Sequence, residues 1–216
     1  MTTVRIFFEK RGESAYISLL DLQRVFHRLL KISDLPVWYT QGFNPHIYLS
    51  FSCPLSLGQE SLCESCEVKT EQEQIDGAVW QSALQPLMPR GIRITKVAPA
   101  QEKVGEIAAA AYEITMPVQS AAAIDIYNTA SSAEVTKKTK RGQKTLDLKE
   151  HLAHIDYETQ GEMIHFTVLL PCGSGEALNL NPSLLMDYLK DHGGAPAWQC
   201  QVLRTHLYTK QGTDFA

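Results

Sequence analysis

Two alternating periodicities constrain this chain most. Val4-Arg5-Ile6-Phe7-Phe8 alternates in part and is rich in strand formers, which predicts a first strand ended by Arg11-Gly12-Glu13. Ser18 then stands as an N-cap with Asp21 at the third helical position, a helix-start signature. Leu19, Leu22, Phe26, Leu29 and Leu30 follow at helical spacing as one apolar stripe, and the helix must stop before Pro36.

Two extended pieces come next. Ile47, Leu49 and Phe51 fall on one face of a strand, with Tyr48, Ser50 and Ser52 on the other. Residues 64–69 predict a further strand, and a second helix is expected over 72–87 with Ile75, Val79 and Ala83 as its buried stripe. Pro89-Arg90-Gly91 closes that helix, and 92–97 make a fourth strand. The order βαββαβ is the ferredoxin-like pattern.

A polar stretch over 99–106 reads as a linker, after which the order recurs more loosely. Strands are expected at 111–116 and 163–170, with extended pieces at 145–148 and 155–159 and a last strand at 199–208. Helices are expected at 121–130 and from Pro182, while 211–216 should fray. The predicted class is α+β, with two tandem ferredoxin-like (βαββαβ) units at 1–98 and 109–210, the second less regular. One α+β domain with a single extended sheet is the alternative.

Composition narrows the function classes. Of the 216 residues 44% are hydrophobic, enough for a sizeable core, and the net charge of −4 argues against a strongly basic nucleic-acid binder, though not against a local basic footprint. No apolar run approaches the ~20 residues that span a bilayer, and the first residues lack a signal-peptide pattern. Five cysteines without framework spacing point to reduced thiols, so a cytoplasmic location with no membrane contact is expected.

Gln41, Gly42, Phe43, Asn44 and His46, with Pro45 between the last two, form the most unusual local segment. Gly and Asn tolerate positive φ, and Pro45 holds Asn44 extended, so the loop has a defined shape. Two readings stay open: a surface presenting the Phe43 ring, the Asn44 amide and the His46 imidazole to a ligand, or a shaped turn leading into a strand. The second candidate is the basic run Lys137, Lys138, Lys140, Arg141 and Lys144, five cations in eight residues. It can contact RNA phosphates or be a solvated hairpin tip around Gly142. Phe7 and Tyr48 are candidates for the open face of the first sheet, where RNA-recognition motifs carry stacking aromatics; on strands, aromatics more often serve packing.

Cys63 and Cys66 are the only close cysteine pair. Residues three apart on a strand point to opposite faces, which disfavours joint ligation, so no metal site is expected. His27, His151, His154, His165, His192 and His206 lie scattered, and neither a phosphate-binding glycine loop nor a nucleophile elbow occurs.

Three segments carry a family resemblance: Ser18-Leu19-Leu20-Asp21-Leu22-Gln23-Arg24, Tyr39-Thr40-Gln41-Gly42-Phe43-Asn44-Pro45-His46, and Leu49-Ser50-Phe51 with Pro54-Leu55-Ser56-Leu57-Gly58-Gln59-Glu60-Ser61. Together they resemble the radical-SAM-linked domain of unknown function, which occurs fused to cobalamin-binding radical SAM proteins or encoded beside them. The resemblance implies a radical SAM protein as partner. The radical chemistry itself would lie with that partner, because an iron–sulfur cluster needs closely spaced thiolates and no CxxxCxxC run is present. No cofactor is expected here. The expected function is a non-catalytic partner or substrate-binding protein for such an enzyme, in RNA or ribosome-related modification. The alternatives are an RNA-binding or RNA-processing nuclease of two ferredoxin-like units, using His46 or another histidine helped by Lys or Tyr as its acid–base group, and a protein-interaction module.

Overall fold

The computed structural model describes residues 1–139, 142–173 and 177–216, with the side chains of Lys138 and Thr139 also outside the described atoms. The chain is mixed α+β, with antiparallel strand pairing and, among the described residues, four α-helices. Met1–Glu106 with Phe215–Ala216 form one compact unit, and Ile107–Asp214 form a second.

The first unit contains β1 (Thr2–Lys10), α1 (Leu19–Ile32), β2 (Leu49–Phe51), β3 (Glu60–Thr70), α2 (Gly77–Leu84) and β4 (Ile92–Pro99). Its sheet runs β4-β1-β3-β2, each neighbour antiparallel. Alternation along β1 sends Val4, Ile6 and Phe8 into the core, where they are fully buried. The Phe8, Phe26 and Phe51 rings meet at the centre, with Phe8–Phe26 centroids 5.0 Å apart and Phe26–Phe51 centroids 5.4 Å apart, edge-on.

Helix α1 begins where its cap predicts: Ser18 Oγ accepts from Asp21 N at 3.1 Å, and Leu22, Phe26, Leu29 and Leu30 are buried. Leu19 is the exception to the expected stripe and stays exposed. The α2 stripe is also displaced. Asp76 caps the helix by accepting from Ala78 N and Val79 N, so the helix starts later than expected and buries Trp80 and Leu84; Val79 is 57% exposed and Ala83 only half-buried. The last two residues are held rather than frayed. Phe215 lies against the buried Arg5 guanidinium, 4.2 Å from Cζ to the ring centre, and Ala216 N donates to Glu102 Oε2 at 3.0 Å. Arg5 also donates to Glu67 Oε1 at 2.7 Å, to the Ala216 carbonyl at 2.5 Å and to the Glu102 carbonyl.

The second unit contains β5 (Ile107–Pro117), α3 (Ala121–Thr129), β6 (Glu134–Thr139), β7 (Gly142–Asp147), β8 (Glu158–Gln160), β9 (Met163–Pro171), α4 (Pro182–Asp191) and β10 (Gln201–Thr209). Its sheet runs β10-β5-β9-β8, again with antiparallel neighbours. Among the described residues strands β6 and β7 pair only with each other, as a hairpin inserted between α3 and β8. Asn181 caps α4 by accepting from Ser183 N at 2.9 Å, with Pro182 in the first turn. Helices α3 and α4 pack through Tyr127 and Tyr188, whose rings meet edge-on at 5.5 Å. The buried Tyr127 hydroxyl donates to the Leu152 carbonyl, and burial pushes its pKa up. In chain order both sheets place their strands fourth, first, third, second.

Candidate functional site

The shaped loop is closed by its own ends. Tyr39 bridges Ile47, which is fully buried, and Thr40 N donates to His46 O at 2.8 Å. His46 N donates to Thr40 Oγ1 at 3.1 Å. Its ring Nδ1 lies 3.1 Å from that hydroxyl and 3.2 Å from the Asn44 carbonyl. The imidazole is therefore held through Nδ1. Gly42 has φ +146, a backbone that side-chain-bearing residues rarely adopt, and Phe43 is fully exposed at the tip. Burial lowers the His27 pKa, as do the nearby charges of Lys31 and His46.

Beside this loop lies a groove of about 550 Å³ lined by Pro36, Val37, Trp38, Tyr39, Gln41, Glu71 and Gln72. Of the predicted loop residues, Gln41 lines it, whereas Gly42, Phe43, Asn44 and His46 do not. Its two walls come from the segment before the loop and from the end of β3. They meet because Trp38 N donates to Lys69 O and Val37 bridges Thr70. The buried Thr70 hydroxyl donates to the Pro36 carbonyl at 2.6 Å and accepts from Gln72 N at 3.2 Å.

The face of the first sheet turned away from its core interleaves rings and cations. Lys69 Nζ stands 4.5 Å from the Tyr48 ring centre and 5.7 Å from that of Trp38. Lys96 Nζ lies 5.3 Å from the Phe7 ring centre, its partner in the β1–β4 register. Phe7 and Tyr48 are both half-buried on this face. Pro36, Val37, Trp38, Tyr39, Glu71 and Gln72 are the groove residues that sequence reasoning missed. The adjacent Trp38-Tyr39 pair just before the loop was the available signal.

The basic run falls on the β6–β7 hairpin. Lys137 is paired directly with Lys144, and Lys138 with Gln143, while Lys140 and Arg141 lie outside the described residues. Lys137 is anchored, its ammonium donating to the Asn179 carbonyl at 2.6 Å; Lys144 is exposed. The hairpin base is closed by Asp147, which accepts from Ala133 N at 2.7 Å and Lys149 N at 2.9 Å; these bonds hold its pKa below the ordinary carboxylate value. Like charges placed directly opposite each other weaken a strand pair, and Lys137 and Lys144 form such a pair in this hairpin.

A second groove, about 480 Å³, lies in the second unit and is acidic, with Glu113, Asp156 and Glu158 around His165. The His165 Nδ1 is 2.9 Å from Thr115 Oγ1. Among the described residues no group of three or more His, Cys, Asp or Glu is placed to hold a metal ion. The Cys66 thiol is fully buried and pushed up by desolvation, and Cys63 is half-buried. No described helix is long and apolar enough to cross a membrane.

No curated protein matches this sequence. A family model does, over residues 3–182, which spans the loop, the groove and the hairpin. The chain therefore belongs to the DUF2344 family, described as uncharacterized proteins conserved in bacteria.

Proposed function

We propose that this protein is a non-catalytic substrate-binding partner of a radical SAM enzyme and that the substrate it holds is an RNA. The observation that carries the RNA reading is Lys137 standing opposite Lys144 on a hairpin whose strands, among the described residues, pair only with each other. A polyanion lying along this hairpin would relieve the like-charge pair, and each lysine would release a counterion from the phosphates. The aromatic and cationic face of the first sheet supports the same reading, since stacked bases and phosphates need both side-chain types. The shared strand order in the two units supports assigning both as ferredoxin-like, the second with an inserted hairpin.

The radical SAM partner rests on the resemblance carried by residues 18–24, 39–46 and 49–61. Two of those segments lie side by side: Leu19 and Leu22 of the first and Pro54 and Leu55 of the third line one small cavity. Leu20 and Leu57 in these segments are exposed, as is the neighbouring Tyr16, which supports a protein contact there.

The test is fluorescence anisotropy of a labelled single-stranded RNA with wild-type protein and Lys144→Ala. Lys144 is exposed, so its loss leaves the fold intact. Weaker RNA binding by the variant is expected, whereas equal affinity removes the observation on which the RNA reading stands. Co-purification with a radical SAM protein, lost in Leu20→Glu/Leu57→Glu, tests the partner separately.

A further inference from the structure

We infer that the groove between Trp38 and Gln72 is a binding site for a guanine base; the assignment of that base to an unpaired nucleotide of RNA rests on the function proposed above. The groove, at about 550 Å³, falls within the roughly 300–1,000 Å³ range of small-ligand sites. It is also built before any ligand arrives, because Thr70 ties both walls from beneath through Pro36 and Gln72.

The lining fixes which part of a nucleotide fits. Trp38 and Tyr39 supply aromatic surface, on which any base can stack. The Glu71 carboxylate offers hydrogen-bond acceptors only, so it repels a phosphate and selects a ligand edge made of donors. Guanine is the base with two adjacent donors on its pairing edge, N1–H and N2–H, matching the two oxygens of a carboxylate. Uracil presents one N–H between two carbonyls, and those carbonyls face the same carboxylate unfavourably. The Gln41 and Gln72 amides each offer donors and acceptors for the remaining guanine atoms, O6 and N7. Lys69, beside the Trp38 ring, provides the positive charge for the attached phosphate that Glu71 excludes from the groove itself.

Trp38 reports on occupancy. The chain has three tryptophans, of which Trp80 is buried and Trp198 is 81% exposed, so Trp198→Phe leaves Trp38 as the quenchable one. This protein is titrated with UUUGUUUU and UUUUUUUU, and with guanosine and uridine monophosphates. The expected result is saturable quenching by the guanine-containing ligands at about tenfold lower concentration than by their uracil counterparts, the size of one good base-edge contact. Glu71→Gln should abolish that difference, and Lys144→Ala should weaken both octamers alike while preserving it. Quenching with no preference for guanine overturns the inference, as does RNA binding by anisotropy with Trp38 unquenched; the latter leaves the RNA reading standing. Guanosine monophosphate quenching without affinity for either octamer keeps the groove as a guanine site and sinks the RNA reading.

Discussion

The Thr70 hydroxyl donates to the Pro36 carbonyl at 2.6 Å across a sequence separation of 34 residues. The same oxygen accepts from Gln72 N, so a fully buried side chain at the end of β3 sets the spacing of the two groove walls. Thr70→Val keeps the volume and removes both bonds. It should lower unfolding stability by about 1–2 kcal/mol in urea melts, and it should loosen the Pro36–Gln41 wall. Amide exchange of Gln72 and Trp38, faster in the variant, checks the local effect.

Ser18 carries the start of α1. Replacing it with alanine leaves Asp21 N without its side-chain acceptor and should cost about 0.5–2 kcal/mol, read from the urea midpoint at unchanged slope. The acceptor also donates to Asp21 Oδ2 at 2.7 Å, and Arg24 pairs with the same carboxylate at 2.8 Å. Both pull the Asp21 pKa below its ordinary value, the serine bond most.

Gly91 sits at φ +86 in the turn before β4, where Arg11 N and Ser14 Oγ both donate to its carbonyl. A Cβ added there would lie 2.3 Å from Arg11 O. Gly91→Ala should therefore destabilise by more than about 1 kcal/mol, because the left-handed backbone and the clash act together. A melting temperature equal to wild type would contradict this.

Asp147 gives the hairpin an acid limit. Its folded pKa is depressed below the ordinary 3.8 by hydrogen bonds from Ala133 N and Lys149 N. The stability it contributes is present above that value and is lost as pH falls through the lower folded pKa, because the unfolded chain takes up the proton first. Asp147→Asn should flatten this part of the stability curve below pH ~4. Urea melts between pH 5 and pH 3, with hairpin amide exchange as the local probe, measure it.

Much of the fold was legible because its signals are local. The Ser18–Asp21 cap, the Phe26–Leu30 stripe and the Asn181-Pro182 helix start each depend on a few neighbouring residues, and each lies where the sequence predicts it. The α2 stripe was misread: Asp76, not the polar run from Gln72, supplies the cap, and the helix buries Trp80 and Leu84 rather than Val79. The ordered tail was illegible for a different reason: its partners, Arg5 and Glu102, are distant in sequence. The same applies to the groove. Gln41 stood out within an unusual loop, but Glu71 and Gln72 join it only through the register of Val37 with Thr70. The basic run was visible as composition; that Lys137 faces Lys144 required the hairpin register.

Salt dependence of RNA affinity tests the central claim most directly. Each lysine that neutralises a phosphate of a single strand contributes about 0.7 to the slope of log affinity against log salt. The account predicts that Lys144→Ala lowers the magnitude of that slope by about 0.7 and weakens binding most at low salt. An unchanged slope with unchanged affinity would contradict it.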